Sequence, residues 1–313
     1  MSITDQYQYL GVKLRPSGSL NYAVEELCDK AKRAWFGISN IVHKHKRMEA
    51  DRVLGIFDSL VTPIALYSCE FWMPYVVKKS SFSSIDKLIE NWESFTSETI
   101  NQQCCRLFLS VHNKSSRLAV LGELGRYPLF LKSVAQCMWS LTSMKEPNNS
   151  LMRHVIEEMS SMASKGQDCW LTRVSKIEQL FNLKQHKGYA FNNNASGKTI
   201  MTKIKSKFDS FWVRKINEFK PNKNDPLDHN KLRTYKMFKG SFTREPYIDY
   251  IRNRNQRSYL TRLRIGAHSL AIELGRRHRP ITPIRERVCL FCQTDVHWNA
   301  PNQTCYSNLE FGA

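Results

Sequence analysis

The sequence predicts a mainly α-helical protein. A helical bundle is preceded by one short β-strand and followed by a second, basic helical domain and a short Cys-rich tail. Three observations predict this. Apolar residues recur at steps of three and four through most of the chain, which places them on one face of a helix. Strand-like alternation occurs once, near the start. Charge is concentrated late: residues 201–290 hold 22 Lys plus Arg against 8 Asp plus Glu, a surplus of 14 in a chain of net charge +19.

Tyr7 to Leu14 reads as the strand, with Leu10, Val12 and Leu14 on one face. Arg15-Pro16-Ser17-Gly18-Ser19 is a turn, because Pro presets φ and Gly accepts a positive one. A helix follows from about Leu20 to Lys46, with Leu20, Val24, Leu27, Ala31, Trp35, Ile38 and Val42 on its apolar face. The next helix, from Ala50 to Tyr67 or beyond, bends or restarts near Pro63, which has no N–H to donate. Ser84–Leu109 is helical in pattern. Ser116–Leu141 is helical but interrupted at Gly122, Gly125 and Pro128. Leu151–Ser164 and Trp170–Leu183 fit further helices. The Asn-rich residues 185–199 are polar and are predicted as a linker. Ile200, Ile204, Phe208, Trp212, Ile216 and Phe219 mark the face of another helix, and Pro221–Asn230 is a charged loop. The last long helix spans roughly Gln256–Leu274, stopped by Gly275 and then Pro280. The domain division that results is 1–20, 21–184, the linker 185–199, 200–288 and a Cys-rich end at 289–313.

A chain of 313 residues that is 42% apolar and 11% aromatic can offset its ordering entropy, which excludes wholesale disorder. Residues 1–20 carry no basic start followed by an apolar run, and the nine cysteines are odd in number. The expectation is a nuclear or cytoplasmic protein, not secreted, with reduced thiols. The apolar stretch Ser59–Val77 contains Glu70, Pro63 and Pro74, and reads as a buried helix rather than a membrane span. So concentrated a positive field attracts polyanions, and RNA or DNA is the expected partner.

Several motifs bear on chemistry. Asn194-Ala195-Ser196-Gly197-Lys198-Thr199 resembles the end of a P-loop, but Asn192 stands where its first Gly is required. No Asp-Asp pair offers carboxylates for two metal ions, so no catalytic residue and no Mg site are predicted within this chain. Arg257, Thr261, Arg264 and His268 step by four, three and four, forming one stripe beside Leu260, Leu263, Ala267, Leu270 and Leu274. Such a helix is expected to present its basic row to phosphates. Arg262, Arg276, Arg277 and Arg279, with Lys236 and Lys239 earlier, extend the predicted nucleic-acid-binding set. Cys289, Cys292, His297 and Cys305 form a C-x2-C-x4-H-x7-C array whose thiolates and imidazole suit tetrahedral zinc.

With these residues in view, the chain resembles the C-terminal part of open reading frame 2 proteins of LINE-type non-LTR retrotransposons, which are endonuclease–reverse transcriptases. Tyr9-Leu10-Gly11-Val12, Ser17-Gly18-Ser19 and Lys30-Ala31-Lys32-Arg33-Ala34 resemble the passage from palm to thumb. Phe57-Asp58-Ser59-Leu60-Val61-Thr62-Pro63 with Tyr67-Ser68-Cys69-Glu70-Phe71-Trp72 resembles the thumb and its Tyr-Gly-x-Glu-x-Trp signature, with Ser68 in place of Gly. Gly122-Glu123-Leu124-Gly125-Arg126-Tyr127-Pro128-Leu129 resembles the helical region that follows. Residues 231–239 and 260–270 resemble blocks of the tail, after which the family carries a Cys/His knuckle. The resemblance spans about residues 6–292. It implies a palm remnant at 1–20, a thumb-like bundle over 21–184 and a basic tail. It further implies a fragment of an RNA-directed DNA polymerase that binds nucleic acid but lacks the catalytic carboxylates. Such a fragment is inactive alone, and is either completed by a separate fingers/palm piece or a decayed product. The region after Cys292 departs from the family's knuckle, which leaves His297 and Cys305 least supported.

Overall fold

The computed structural model describes residues 7–9, 11–45, 47–144, 150–183, 193–218, 235–267 and 280–283, with Leu232 and Glu286 besides. Among these residues one β-hairpin is followed by fourteen α-helices, so the fold is mainly α as the periodicity requires. The expected single strand is folded back on itself. Strand β1 (Tyr7–Tyr9) pairs antiparallel with β2 (Val12–Leu14), Tyr7 opposite Leu14. Gly11, at φ +83°, supplies the left-handed backbone between them.

Helix α1 (Asn21–Lys44) buries Val24, Leu27, Ala31, Trp35 and Val42, the face its spacing predicts. Helices α2 (Ala50–Leu60) and α3 (Thr62–Ala65) are separated at Val61, and Pro63 lies in the first turn of α3, where its missing N–H costs nothing. Helix α4 (Cys69–Val76) comes next. The run Ser84–Leu109 is not one helix. It forms α5 (Ile85–Glu90), a 3-10 turn at Asn91–Ser94 and α6 (Thr96–Leu109). Helices α7 (Arg117–Leu124) and α8 (Leu129–Met144) flank the expected break at Gly125 and Pro128, but Gly122, expected to interrupt the helix as well, lies inside α7. Then come α9 (Ser150–Ser164) and α10 (Trp170–Leu180). Helix α11 spans Asn193–Glu218, so the P-loop-like residues Asn194–Thr199 lie in its opening turns. Short helices α12 (Tyr235–Phe238) and α13 (Pro246–Tyr250) lead to α14 (Arg254–Arg264). Helix α14 ends earlier than Leu274. Gly266 is left-handed at φ +64°, and the Ala267 N–H returns to the Arg262 carbonyl at 2.8 Å, the closure that stops a helix.

Helix α6 lies at the centre, with α1 and α7 packed on it, while α8 packs on α4 and α11. One hydrophobic cluster takes in side chains from Val24 to Ile265, on both sides of residues 185–199. Tyr127 and Phe242 stack with centroids 4.9 Å apart, and Phe208 meets Phe242 at 5.1 Å. Where described, the basic segment therefore shares its core with the helices before it. No helix among the described residues is long and apolar enough to cross a membrane.

Ser68 sits at φ 51°, ψ 30°, in the left-handed region, at the N-cap of α4 with no side-chain cap hydrogen bond. An L-residue pays about 1–2 kcal/mol there, and Gly does not. Ser68→Gly is therefore expected to raise stability, by up to about 1 kcal/mol once the added unfolded-state entropy of Gly is subtracted. A thermal melt reads it, and a lower midpoint than wild type would refute it.

The α7–α8 junction is a polar knot. Arg126 donates from Nε to Asn101 Oδ1 at 2.6 Å and from both Nη atoms to Asp58 at 2.9 and 3.2 Å. Burial works against the Asp58 charge, but Arg126 and Lys132 outweigh it and hold the carboxyl at about 2. Glu98 is buried. It accepts the Phe130 N–H at 2.7 Å in the first turn of α8, and Asn101 Nδ2 at 3.1 Å. Burial nevertheless pushes Glu98 up to about 7.

Candidate nucleic-acid interface

Helix α14 begins because the Asn253 side chain accepts the N–H groups of Asn255 at 2.9 Å and Gln256 at 3.4 Å. At 100° per residue, Arg257, Thr261 and Arg264 share one arc, as their spacing predicts. That arc is the inner one. Arg257 and Thr261 are buried and Arg264 is half-buried, which corrects the expectation of a surface row.

The reason is helix α6. Its last carbonyls have no intrahelical donors and form the negative end of its dipole. Three arginines of α14 supply the donors. Arg254 reaches the Leu107 carbonyl at 3.2 Å, Arg257 the Phe108 carbonyl at 3.1 Å, and Arg262 the Ser110 carbonyl at 2.7 Å. Arg254 also bonds the His43 carbonyl at 3.0 Å, which joins the end of α1 to the same point. The Arg257 guanidinium lies 3.9 Å from the Phe108 ring centroid. Burial, with Arg254 nearby, lowers Arg257 to about 10, so it stays charged at neutral pH.

Arg264 and Lys239 meet at a second cluster. Arg264 bonds Glu123 at 3.0 Å and pairs with Glu245 at 2.7 Å. Lys239 is buried against Glu245 and the Thr243 carbonyl. Tyr247 donates to Glu123 and lies 2.8 Å from Thr261 Oγ1. These two cations turn inward to carboxylates: Arg264 to the fully buried Glu123, and Lys239 to Glu245. Lys236, on α12, is half-buried. His268, Arg276, Arg277 and Arg279 lie outside the described residues, as do Cys289, Cys292, His297 and Cys305.

What faces solvent at this junction is the opposite arc of α14, carrying Asn255, Tyr259 and Arg262. The Arg254 bond to the His43 carbonyl brings the end of α1 to this junction, and Tyr250, Lys44 and Arg47, close in sequence to the joined elements, are exposed. Arg52 and Arg252 have side chains 75% and 68% exposed, and both pair loosely with Glu49 at 3.4 and 3.3 Å. Asp51 and Asp249 both pair with Arg244, so against these two acids and Glu49 the region sets Lys44, Arg47, Arg52, Arg244, Arg252 and Arg262, a cationic surplus.

No protein family, curated protein or solved structure matches the chain. The geometry of this junction therefore carries the functional reading. A cleft at Lys78, Lys87 and Arg117 is another basic surface, but Glu90 and Glu93 line it too, and its field is mixed. Among the described residues of the sequence-derived set, only Arg262 is brought to the open cationic face. Arg254, Arg252, Tyr250 and Tyr259 went unread. The available signal was Asn253 as an N-cap, which starts the helix at Arg254 and brings Arg254 into it.

Proposed function

We propose that this chain is a nucleic-acid-binding helical module of the LINE-type reverse-transcriptase kind, comprising the palm end, thumb and tail, without polymerase activity of its own. The observation that carries the proposal is the open cationic face where α1, α6 and α14 meet. Helices that hold a polynucleotide through its phosphates need Lys and Arg in a fixed frame and no base code. Two further features support the reading. Ser68 occupies a left-handed position where the thumb signature has Gly. The resembling blocks also meet in space: Glu123 pairs with Arg264, and Gly122 packs against the Tyr235 hydroxyl. The partner is RNA or DNA, and the compartment is nuclear or cytoplasmic.

The test is binding of the full chain to labelled oligonucleotides across a salt series. If about six phosphates are neutralised, log affinity for duplex falls against log salt with a slope of about −5, and less steeply for single strands. A slope near zero, or no binding in dilute buffer, overturns the reading. The tail forms part of the same proposal, with zinc held by Cys289 and Cys292, and by His297 and Cys305 if the array is complete. Metal analysis should find about one zinc per chain, lost in Cys289→Ser and Cys292→Ser; equal metal in wild type and variants removes zinc from the account.

A further inference from the structure

Resting on the nucleic-acid reading above, we propose that Tyr250 and Tyr259 form a stacking platform for unpaired bases, flanked by Arg252 and Arg262, so that the site prefers single-stranded RNA or DNA to duplex. Tyr250 is 84% exposed and Tyr259 69% exposed. They stand on consecutive helices, α13 and α14, joined by three residues. At these exposures much of each ring is open to solvent. Every base, whatever its identity, can stack on such a ring once it is unpaired.

The arginines supply the other half of the recognition. Arg262 stands three residues after Tyr259, on the same outer arc. Its Nε and Nη2 both point to the Ser110 carbonyl, at 3.1 and 2.7 Å. That two-point hold fixes the guanidinium at the end of α6, on the outer arc that Tyr259 also occupies, while the side chain stays exposed. Arg252 lies between the two tyrosines in sequence and is held only by one long contact to Glu49. Cations beside open rings fit a polyanion with exposed bases. A duplex offers the same phosphates but keeps its bases stacked on one another, so the rings would gain nothing from it. A protein partner of ordinary composition would leave the arginines without counter-charge, which makes the nucleic acid the better complement.

The experiment is fluorescence anisotropy on the full chain at low salt, with a labelled single strand and a labelled hairpin duplex of equal length. The variants are Tyr250→Ala/Tyr259→Ala and Tyr250→Phe/Tyr259→Phe. Both rings are exposed, so thermal melts should match wild type. The alanine pair is expected to lose at least tenfold in single-strand affinity and less than twofold for the hairpin, with the salt slope unchanged. The phenylalanine pair should bind as wild type, because stacking needs the ring and not the hydroxyl. Equal losses on both probes, or no loss, overturn the platform while wild-type binding with its salt slope leaves the broader reading standing. Failure of wild type to bind either probe overturns both.

Discussion

Gly125→Ala is expected to lower the urea midpoint by the equivalent of about 3 kcal/mol. Two independent costs add. Gly125 stands at φ +56°, where an L-residue pays about 1–2 kcal/mol. A Cβ there would also lie 2.5 Å from the Arg244 backbone nitrogen, and a backbone cannot swing aside as a flexible side chain can. Overpacking of this kind costs about 1–3 kcal/mol. Gly122→Ala should behave alike, since its Cβ would lie 2.5 Å from the Trp212 ring and 2.7 Å from the Tyr235 hydroxyl. The control is Gly55→Ala in α2, with nothing within 4 Å, which should stabilise by about 0.5–1 kcal/mol. Should Gly125→Ala melt with wild type, the close approach of residues 243–244 to the α7 end is wrong.

Glu123→Ala is expected to cost about 3–5 kcal/mol, the usual loss when one partner of a buried ion pair is removed. The side chain is 0% exposed and is held by Arg264 and Tyr247. Its loss leaves Arg264 to share Glu245 with Lys239 and leaves the Tyr247 hydroxyl without its acceptor. Arg264→Met alone should also destabilise strongly. The double variant should cost less than the two singles added, because each single change strands the other charge. Strict additivity would show that the pair does not interact. The same variants separate structure from binding. Arg264→Met should leave the salt slope of nucleic-acid affinity unchanged, whereas Arg252→Gln, on the open face, should reduce it by about one.

These expectations show where the sequence was legible. The buried face of α1, the break between Gly125 and Pro128, and the restart at Pro63 follow from local rules, because Gly125 takes the left-handed backbone that ends a helix, Pro63 opens one, and apolar spacing is a property of the helix itself. Gly122 and Pro74 break nothing, since both lie inside helices held by their surroundings. The division of Ser84–Leu109 was not legible, because Asn91-Trp92-Glu93-Ser94 contains neither Gly nor Pro and its tight turn is set by packing of the buried Trp92. The hairpin was missed for a similar reason. Gly11 was available as a turn residue, but three-residue strands leave too little alternation to count.

The basic stripe of α14 is the sharpest case. Spacing alone determined that Arg257, Thr261 and Arg264 share an arc, that the chain is mainly helical, and that its late third is strongly cationic. Tertiary structure decided which way that arc points. The Phe108 and Ser110 carbonyls at the end of α6 and the buried carboxylate of Glu123 are met by donors from elements distant in sequence. An arginine's long stem lets it serve solvent or core equally well, so its orientation is settled by the unmet polar groups it folds against, which no local pattern records.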